Sequence, residues 1–207
     1  MLGIIERGGV TAIPLLICSI TTIAVALERF IYLKKAKGNN FRLIKKIRLL
    51  IDNDKLREAK NMAQKENGPI AGILVEGLKY CGKRKEELKE NLAAIAQSEI
   101  KKLEKRLRVL DFIANVAPLL GLLGTVLGII DSFNILAGAE GMASPAAISV
   151  GISHALISTA FGLIVAIPTM FLYSYLVSLV ERRTEEVNRW YVDLIELLSQ
   201  GGSNAKF

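Results

Sequence analysis

The sequence predicts an all-α membrane protein with three transmembrane helices, the second and third extended into a cytoplasmic helical bundle. Three observations carry that prediction. Three uncharged runs have membrane-spanning length, charge is confined to the segments between and after them, and apolar stripes of helical period run on into those charged segments. The chain has 207 residues, of which 51% are hydrophobic and 23% charged, with a formal net charge of +7. Its pI is near 9.4 and its mean hydropathy +0.37. Such apolar content excludes intrinsic disorder, and two cysteines exclude a disulfide scaffold.

The first run covers residues 8–27, twenty positions without a charge, followed by Glu28 and Arg29 and then Phe30, Ile31, Tyr32 and Leu33. The second covers residues 112–130, nineteen positions bracketed by Asp111 and Asp131. The third lies within residues 141–180, forty positions with no Asp, Glu, Lys or Arg and one histidine, His154. A hydrocarbon core of about 30 Å needs roughly 20 helical residues, so each run qualifies. The third is too short for two spans with a turn and long enough for one helix of over thirty residues. A signal peptide is the competing reading of the first run. Only Arg7 precedes it, Glu6 offsets that charge, and Glu28, Arg29, Lys34, Lys35 and Lys37 form a stop-transfer flank, so the run reads as an anchor.

Orientation follows from lysine and arginine counts. Residues 34–110 carry 21 of the 27 basic residues against ten acidic ones, a net of +11, whereas residues 131–150 carry none. The tail from Glu181 has four, with Arg182 and Arg183 directly at the helix exit. The positive-inside rule therefore places residues 1–9 and 135–145 outside, and 34–110 and 181–207 in the cytoplasm. The spans fall at about 10–33, 112–134 and 146–178, and 1–207 reads as one domain. Cys81 then lies in a reducing compartment and Cys18 within a span, so no disulfide is expected. Anionic lipid headgroups suffice to explain the high pI, and no nucleic-acid partner is invoked.

The cytoplasmic segment reads as helices. An amphipathic stretch covers 41–51, with Asp52 or Asp54 as N-cap of a helix carrying Leu56, Ala59, Met62 and Ala63. Gly68 and Pro69 break the pattern, which resumes over 70–80 and ends at Cys81, Gly82 and Lys83. From Lys85 the positions Leu88, Leu92, Ala96, Ile100, Leu103, Leu107 and Leu110 form one stripe without a turn residue. They predict one helix of over forty residues running into the second span. After the third span Leu176, Val180, Val187, Tyr191, Leu194 and Leu198 keep the same period. There is no phosphate loop, no Cys/His metal spacing and no nucleophile–base constellation, so neither an enzyme nor a cofactor is expected.

Small residues mark one face of each of the last two spans: Ala117, Gly121, Gly124, Thr125, Gly128 and Ser132, then Gly151, Ala155, Ser158, Gly162 and Ala166. Lipid gives no hydrophobic drive between helices, so such faces serve close backbone packing. Thr125, His154, Ser158 and Thr159 add polar groups at membrane depth. Thr125 lies roughly 20 Å along the helix from Asp111, slightly beyond mid-membrane toward the outside. A buried hydroxyl there either bonds the carbonyl four residues back or serves a partner carboxyl or a water. His154 is either a proton-exchanging group or a neutral histidine bonded to a neighbouring helix or wetted at the interface.

The stretch 117–130 (APLLGLLGTVLGII) resembles the second-span signature of the MotA/TolQ/ExbB proton-channel family. The stretches 151–163 (GISHALISTAFGL) and 166–168 (AIP) resemble its third-span signature, and 14–19 (PLLICS) with 27–29 (LER) resembles the first span of ExbB and TolQ. The resemblance covers nearly the whole chain, and three spans favour the ExbB/TolQ branch over the four-span MotA. It implies an inner-membrane homopentamer around a pore that holds the single-span helices of an ExbD- or TolR-like partner dimer. It further implies an aspartate on that partner as the protonatable group, and work delivered in some branches through a TonB- or TolA-like protein. The family's pore-lining threonines correspond to Thr125 and Thr159, its third-span polar position, commonly glutamate, to His154, and Ser158 joins them on the ion pathway. Pro118, Gly121, Gly124, Gly128, Gly151, Gly162 and Pro168 fall to helix packing. The function expected is a proton-channel stator subunit coupling proton-motive force to mechanical work. The alternatives are a non-conducting helical scaffold and a sodium-driven stator of the same family; a solute permease is disfavoured because the spans show no inverted repeat.

Overall fold

The structure is a computed structural model that describes residues 10–36, 38, 40–138 and 145–200. The expected outer segment 1–9, most of the outer connection and the tail beyond residue 200 lie outside the described residues. Those residues form α1 (Ala12–Lys35), α2 (Asn40–Asp52), α3 (Leu56–Lys65), α4 (Pro69–Gly77), a 3₁₀ turn (Leu78–Tyr80), α5 (Lys85–Glu104), α6 (Leu107–Gly138) and α7 (Pro145–Gln200). No strand occurs among the described residues. Helices α1, α6 and α7 are long and apolar enough to cross a membrane, in agreement with the three runs of the sequence.

The chain divides into two compact units, one from Met1–Glu28 with Arg106–Leu176 and the other from Arg29–Lys105 with Val177–Phe207. The first exposes large apolar side chains all round its helices, among them Ile17, Ile20, Leu119, Leu122, Leu156 and Phe171. A water-facing surface of that composition would be costly, and a bilayer removes the cost. Its interior combines small side chains and hydroxyls, Ala117, Ala155, Ser158, Ala166 and Thr169, with larger ones such as Leu15, Leu110 and Ile113, all buried.

The second unit has an ordinary hydrophobic core. Leu43, Ile44, Ile47 and Ile51 of α2 pack with Ile70, Ile73 and Leu74 of α4, Leu88 and Leu92 of α5, and Val187, Leu194 and Leu198 of α7. Pro69 opens α4 at its first turn, where its missing N–H costs nothing. Gly68 before it adopts φ 113°, and a Cβ there would meet the Ala36 carbonyl oxygen at 2.6 Å. Only glycine tolerates both conditions.

Two local expectations are corrected. Neither Asp52 nor Asp54 caps α3; Lys55 holds the N-cap position, without a side-chain bond. Asp54 instead closes α2. It takes φ 56°, its N–H donates to the Ile51 carbonyl at 3.0 Å, and the Lys55 N–H donates to Leu50 at 2.8 Å. That is a Schellman closure with aspartate in the left-handed position glycine usually fills.

The single helix expected from Lys85 through the second span is two helices. Lys105 leaves helical geometry (φ −51°, ψ 135°), Arg106 has φ 67°, and α6 starts at Leu107. The apolar stripe spans the break, with Leu103, Leu107 and Leu110 all buried, so periodicity alone hides it. In a continuous helix the Lys102 carbonyl would accept from the Arg106 N–H. Here it accepts from Arg29 Nη1 at 3.4 Å. Arg29 is buried, and its guanidinium lies over the Tyr32 ring at 4.7 Å. The Arg106 guanidinium pairs with Glu28.

Candidate functional site

Within the membrane-type unit, α6 and α7 meet along their small-residue faces and run antiparallel. A Cβ on Gly162 would lie 2.7 Å from the Ala117 carbonyl oxygen and 3.0 Å from Gly121 Cα. One on Gly128 would lie 2.8 Å from Ala155 Cβ, and one on Gly151 2.1 Å from Ser132 Oγ. Gly121, Gly124, Gly128, Gly151 and Gly162 all lie at this contact, where backbones approach more closely than any side chain permits. Pro118 and Pro168 sit inside α6 and α7; Pro118 is half-buried and Pro168 exposed.

This close approach brings Thr125 and Thr159 together. Their hydroxyls are in direct hydrogen-bond contact. Thr125 Oγ1 also reaches the Ala155 carbonyl at 3.1 Å and the Gly121 carbonyl at 3.3 Å, and Thr159 Oγ1 reaches the same Gly121 carbonyl at 3.3 Å. Two hydroxyls hold only two protons. One lies between the oxygens, and the other goes to a backbone carbonyl. Whichever hydroxyl donates to the other, the pair ties α6 to α7. Both residues are half-buried, so the pair lies at the edge of the contact. A guest carboxyl or water at that edge gains a donor once a hydroxyl turns from its carbonyl.

Ser158 does not share that edge. It is 2% exposed and its Oγ meets Thr11 Oγ1 at 2.7 Å, enclosed beside Gly124. A second bridge lies three turns along, where Thr22 Oγ1 is 3.1 Å from Thr169 Oγ1 and Thr169 donates to the Val165 carbonyl at 2.7 Å. Thr169 has one proton, so Thr22 is the donor of that pair. Both bridges advance by eleven residues on each helix, so the N-terminal part of α1 runs parallel to α7. Thr11, Thr22 and Thr169 were not singled out from the sequence, although the matching eleven-residue spacing was there to read.

His154 is half-buried and makes no hydrogen bond or ion pair among the described residues. With Ala155 at the centre of the contact, Thr159 lies four residues on and His154 one residue back. At about 100° per residue these fall on opposite flanks of α7. The structure therefore brings Thr125 and Thr159 together and leaves His154 and Ser158 apart from them. No group of His, Cys, Asp and Glu fit to hold a metal occurs among the described residues.

The charged unit has an open cavity of about 470 Å³ lined in part by Tyr32, Lys35, Glu76, Glu99 and Lys102. Its charges are largely paired: Lys102 with Glu99 at 2.6 Å and Lys79 with Glu76 at 2.5 Å. The hydrogen bond that Lys102 donates to the Glu99 carboxylate holds its ammonium above its ordinary pKa.

Residues 65–189 match the profile of the MotA/TolQ/ExbB proton channel family. The chain is 31% identical over 192 residues to an ExbB-like biopolymer transport protein of Synechocystis, covering 89% of this chain and 91% of that one. It is 48% identical over 94 residues to the biopolymer transport protein ExbB of Aquifex aeolicus, covering 45% and 62%. It is 45% identical over 78 residues to the Tol-Pal system protein TolQ of Haemophilus influenzae, covering 38% and 34%.

Proposed function

The chain belongs to the MotA/TolQ/ExbB proton channel family, and from that premise we propose that it is the channel subunit of a proton-driven motor in the bacterial inner membrane. It assembles as a homo-oligomer around the single-span helices of an ExbD- or TolR-like partner and couples proton-motive force to biopolymer transport or a related mechanical task. The N-terminus lies outside and the C-terminus in the cytoplasm, as the basic counts require.

The convergence of Thr125 and Thr159 on one flank of α6 and α7 carries this reading. A partner carboxylate crossing the membrane must be satisfied while charged and neutral while facing apolar wall such as Leu122 or Ile129. The hydroxyl pair offers that satisfaction at one level only. Each elementary charge moved through the membrane potential releases about 2.3 kcal/mol per 100 mV, sufficient to bias steps between equivalent positions. This chain supplies hydroxyls at that depth, and the titrating carboxyl comes from the partner.

One observation favours a scaffold instead: the same hydroxyls also bond carbonyls of their own chain and tie two helices together. Proton flux into liposomes holding the protein with its single-span partner separates the two readings. The motor reading requires flux that depends on the partner and is lost in Thr125→Ala and Thr159→Ala while the complex stays assembled. Wild-type flux in both variants sinks it.

A further inference from the structure

The cavity of about 470 Å³ in the charged unit has the size of a ligand pocket, about 300–1,000 Å³. Its lining runs against the charge of its surroundings. Residues 34–110 hold 21 basic and ten acidic residues, yet Glu66, Glu76 and Glu99 line this cavity against Lys35 and Lys102. Glu76 is engaged with Lys79. Glu99 stands out, because its side chain is only 12% exposed, the most enclosed carboxylate among the ion pairs of the described residues. Gly72 makes the room for it: a Cβ there would lie 2.7 Å from the Glu99 carboxyl carbon and 2.8 Å from Oε2. Lys102 donates to Oε1 at 2.6 Å, and Oε2 takes no hydrogen bond among the described residues. An enclosed carboxylate with a spare oxygen in a cavity wall calls for one more donor, and a cationic donor makes the strongest such bond.

A second observation says where that donor comes from. Ile20, Ala24, Leu27 and Ile31 of α1 are all exposed and follow one another at steps of four and three, so they form one flank of the helix. One turn beyond Ile31 the same flank carries Lys35, which lines the cavity together with Tyr32. Aromatic and basic residues at the end of a span sit at the level of the lipid headgroups. The acyl-facing flank of α1 thus leads directly to the cavity's cation, and the same cavity holds the enclosed carboxylate.

We propose that this cavity takes the headgroup of a phosphatidylethanolamine from the cytoplasmic leaflet, with the lipid phosphate at Lys35 and its ammonium at Glu99 Oε2. The leaflet follows from the orientation given by the basic counts. A zwitterionic headgroup answers both signs of the lining at once. Phosphatidylglycerol brings a phosphate for Lys35 and no cation for Glu99. Phosphatidylcholine brings a cation whose three methyl groups leave no N–H to donate, so it forfeits the charge-assisted hydrogen bond.

The test is native mass spectrometry of the full chain released from detergent holding equal amounts of phosphatidylethanolamine and phosphatidylglycerol with the same acyl chains. The wild type should retain the ethanolamine lipid in preference by about tenfold, the worth of one hydrogen bond to a charged group. Phosphatidylcholine put in its place should lose that advantage. Glu99→Gln should bring the preference to about twofold or less, and Lys35→Gln should lower retention of both lipids alike. Equal retention of the two lipids by the wild type, retention of phosphatidylcholine as good as that of the ethanolamine lipid, or a preference that survives Glu99→Gln would each overturn the site. Should Glu99→Gln fail to fold, Lys35→Gln at its exposed position decides, and unchanged retention there overturns the site as well. Free phosphoethanolamine that displaces the lipid at equal concentration would mark a pocket for a soluble zwitterion and overturn the lipid assignment. Because binding is read without the partner and without flux, failure here leaves the motor reading standing.

Discussion

Replacing Gly162 by alanine puts a methyl group 2.7 Å from the Ala117 carbonyl oxygen and 3.0 Å from Gly121 Cα. Ordinary van der Waals contact begins at 3.4 Å, so the shortfall is 0.7 Å (3.4 minus 2.7) against a backbone atom that cannot rotate away. The helices must separate by most of that distance. The bond from Thr159 Oγ1 to the Gly121 carbonyl is already 3.3 Å and the one from Thr125 to Ala155 is 3.1 Å. A few tenths of an ångström take both past hydrogen-bonding distance. Overpacking of this kind costs about 1–3 kcal/mol. Gly151→Ala provides the contrast, because its obstacle at 2.1 Å is the Ser132 hydroxyl oxygen, with Ser132 Cβ next at 3.3 Å. Removing that hydroxyl in a Gly151→Ala, Ser132→Ala double variant should recover most of the loss. Truncating Ala117 to glycine should not rescue Gly162→Ala, because the obstacle there is a backbone oxygen. Thermal unfolding in detergent together with proton flux reads both. Equal stability of Gly162→Ala and wild type would refute the claim that backbone approach sets this interface.

Two further outcomes follow from the charged unit. Arg29→Met should destabilise by about 1–3 kcal/mol in thermal unfolding, because the Lys102 carbonyl loses the donor that the helix break requires; an unchanged melting temperature would show the break to be held by other contacts. Burial pushes the Cys81 thiol above its ordinary pKa, and its Sγ donates to the Leu198 carbonyl at 3.4 Å. The folded state thus favours the neutral thiol. Its contribution to stability is fully present below the ordinary thiol pKa and is lost as pH rises from there through the raised folded value. Alkylation of Cys81 by a maleimide at pH 8 should accordingly lag a free cysteine, and Cys81→Ala should flatten the alkaline fall in stability.

The spans were legible because a bilayer demands long uncharged runs, a constraint that sequence states directly. The α6–α7 contact was legible for a related reason: glycines at steps of three and four have few uses in a membrane helix besides close packing. The helix break at Lys105 and Arg106 was hidden. Neither glycine nor proline marks it, and its satisfaction comes from Arg29, seventy-three positions away. The role of Asp54 was misread because aspartate serves both as an N-cap and in the left-handed turn that closes the preceding helix, and one residue cannot fill both. Ser158 and Thr159 are adjacent and chemically alike, yet one turns to Thr11 and the other to Thr125. Their separation by about 100° around the helix was readable; which flank α1 would cover was a tertiary fact. His154 stood apart for the same rotational reason, which composition and depth had concealed.

The most direct test contrasts hydroxyl with shape at the threonine pair. Partner-dependent proton flux would be measured for Thr125→Ser, Thr125→Val, Thr159→Ser and Thr159→Val in liposomes under an imposed pH gradient. Serine keeps the hydroxyl and valine keeps the volume, so the account predicts substantial flux in both serine variants and none in either valine variant, with equal assembly throughout. Flux in the valine variants equal to wild type would contradict it, because the two hydroxyls would then be serving only to join helices.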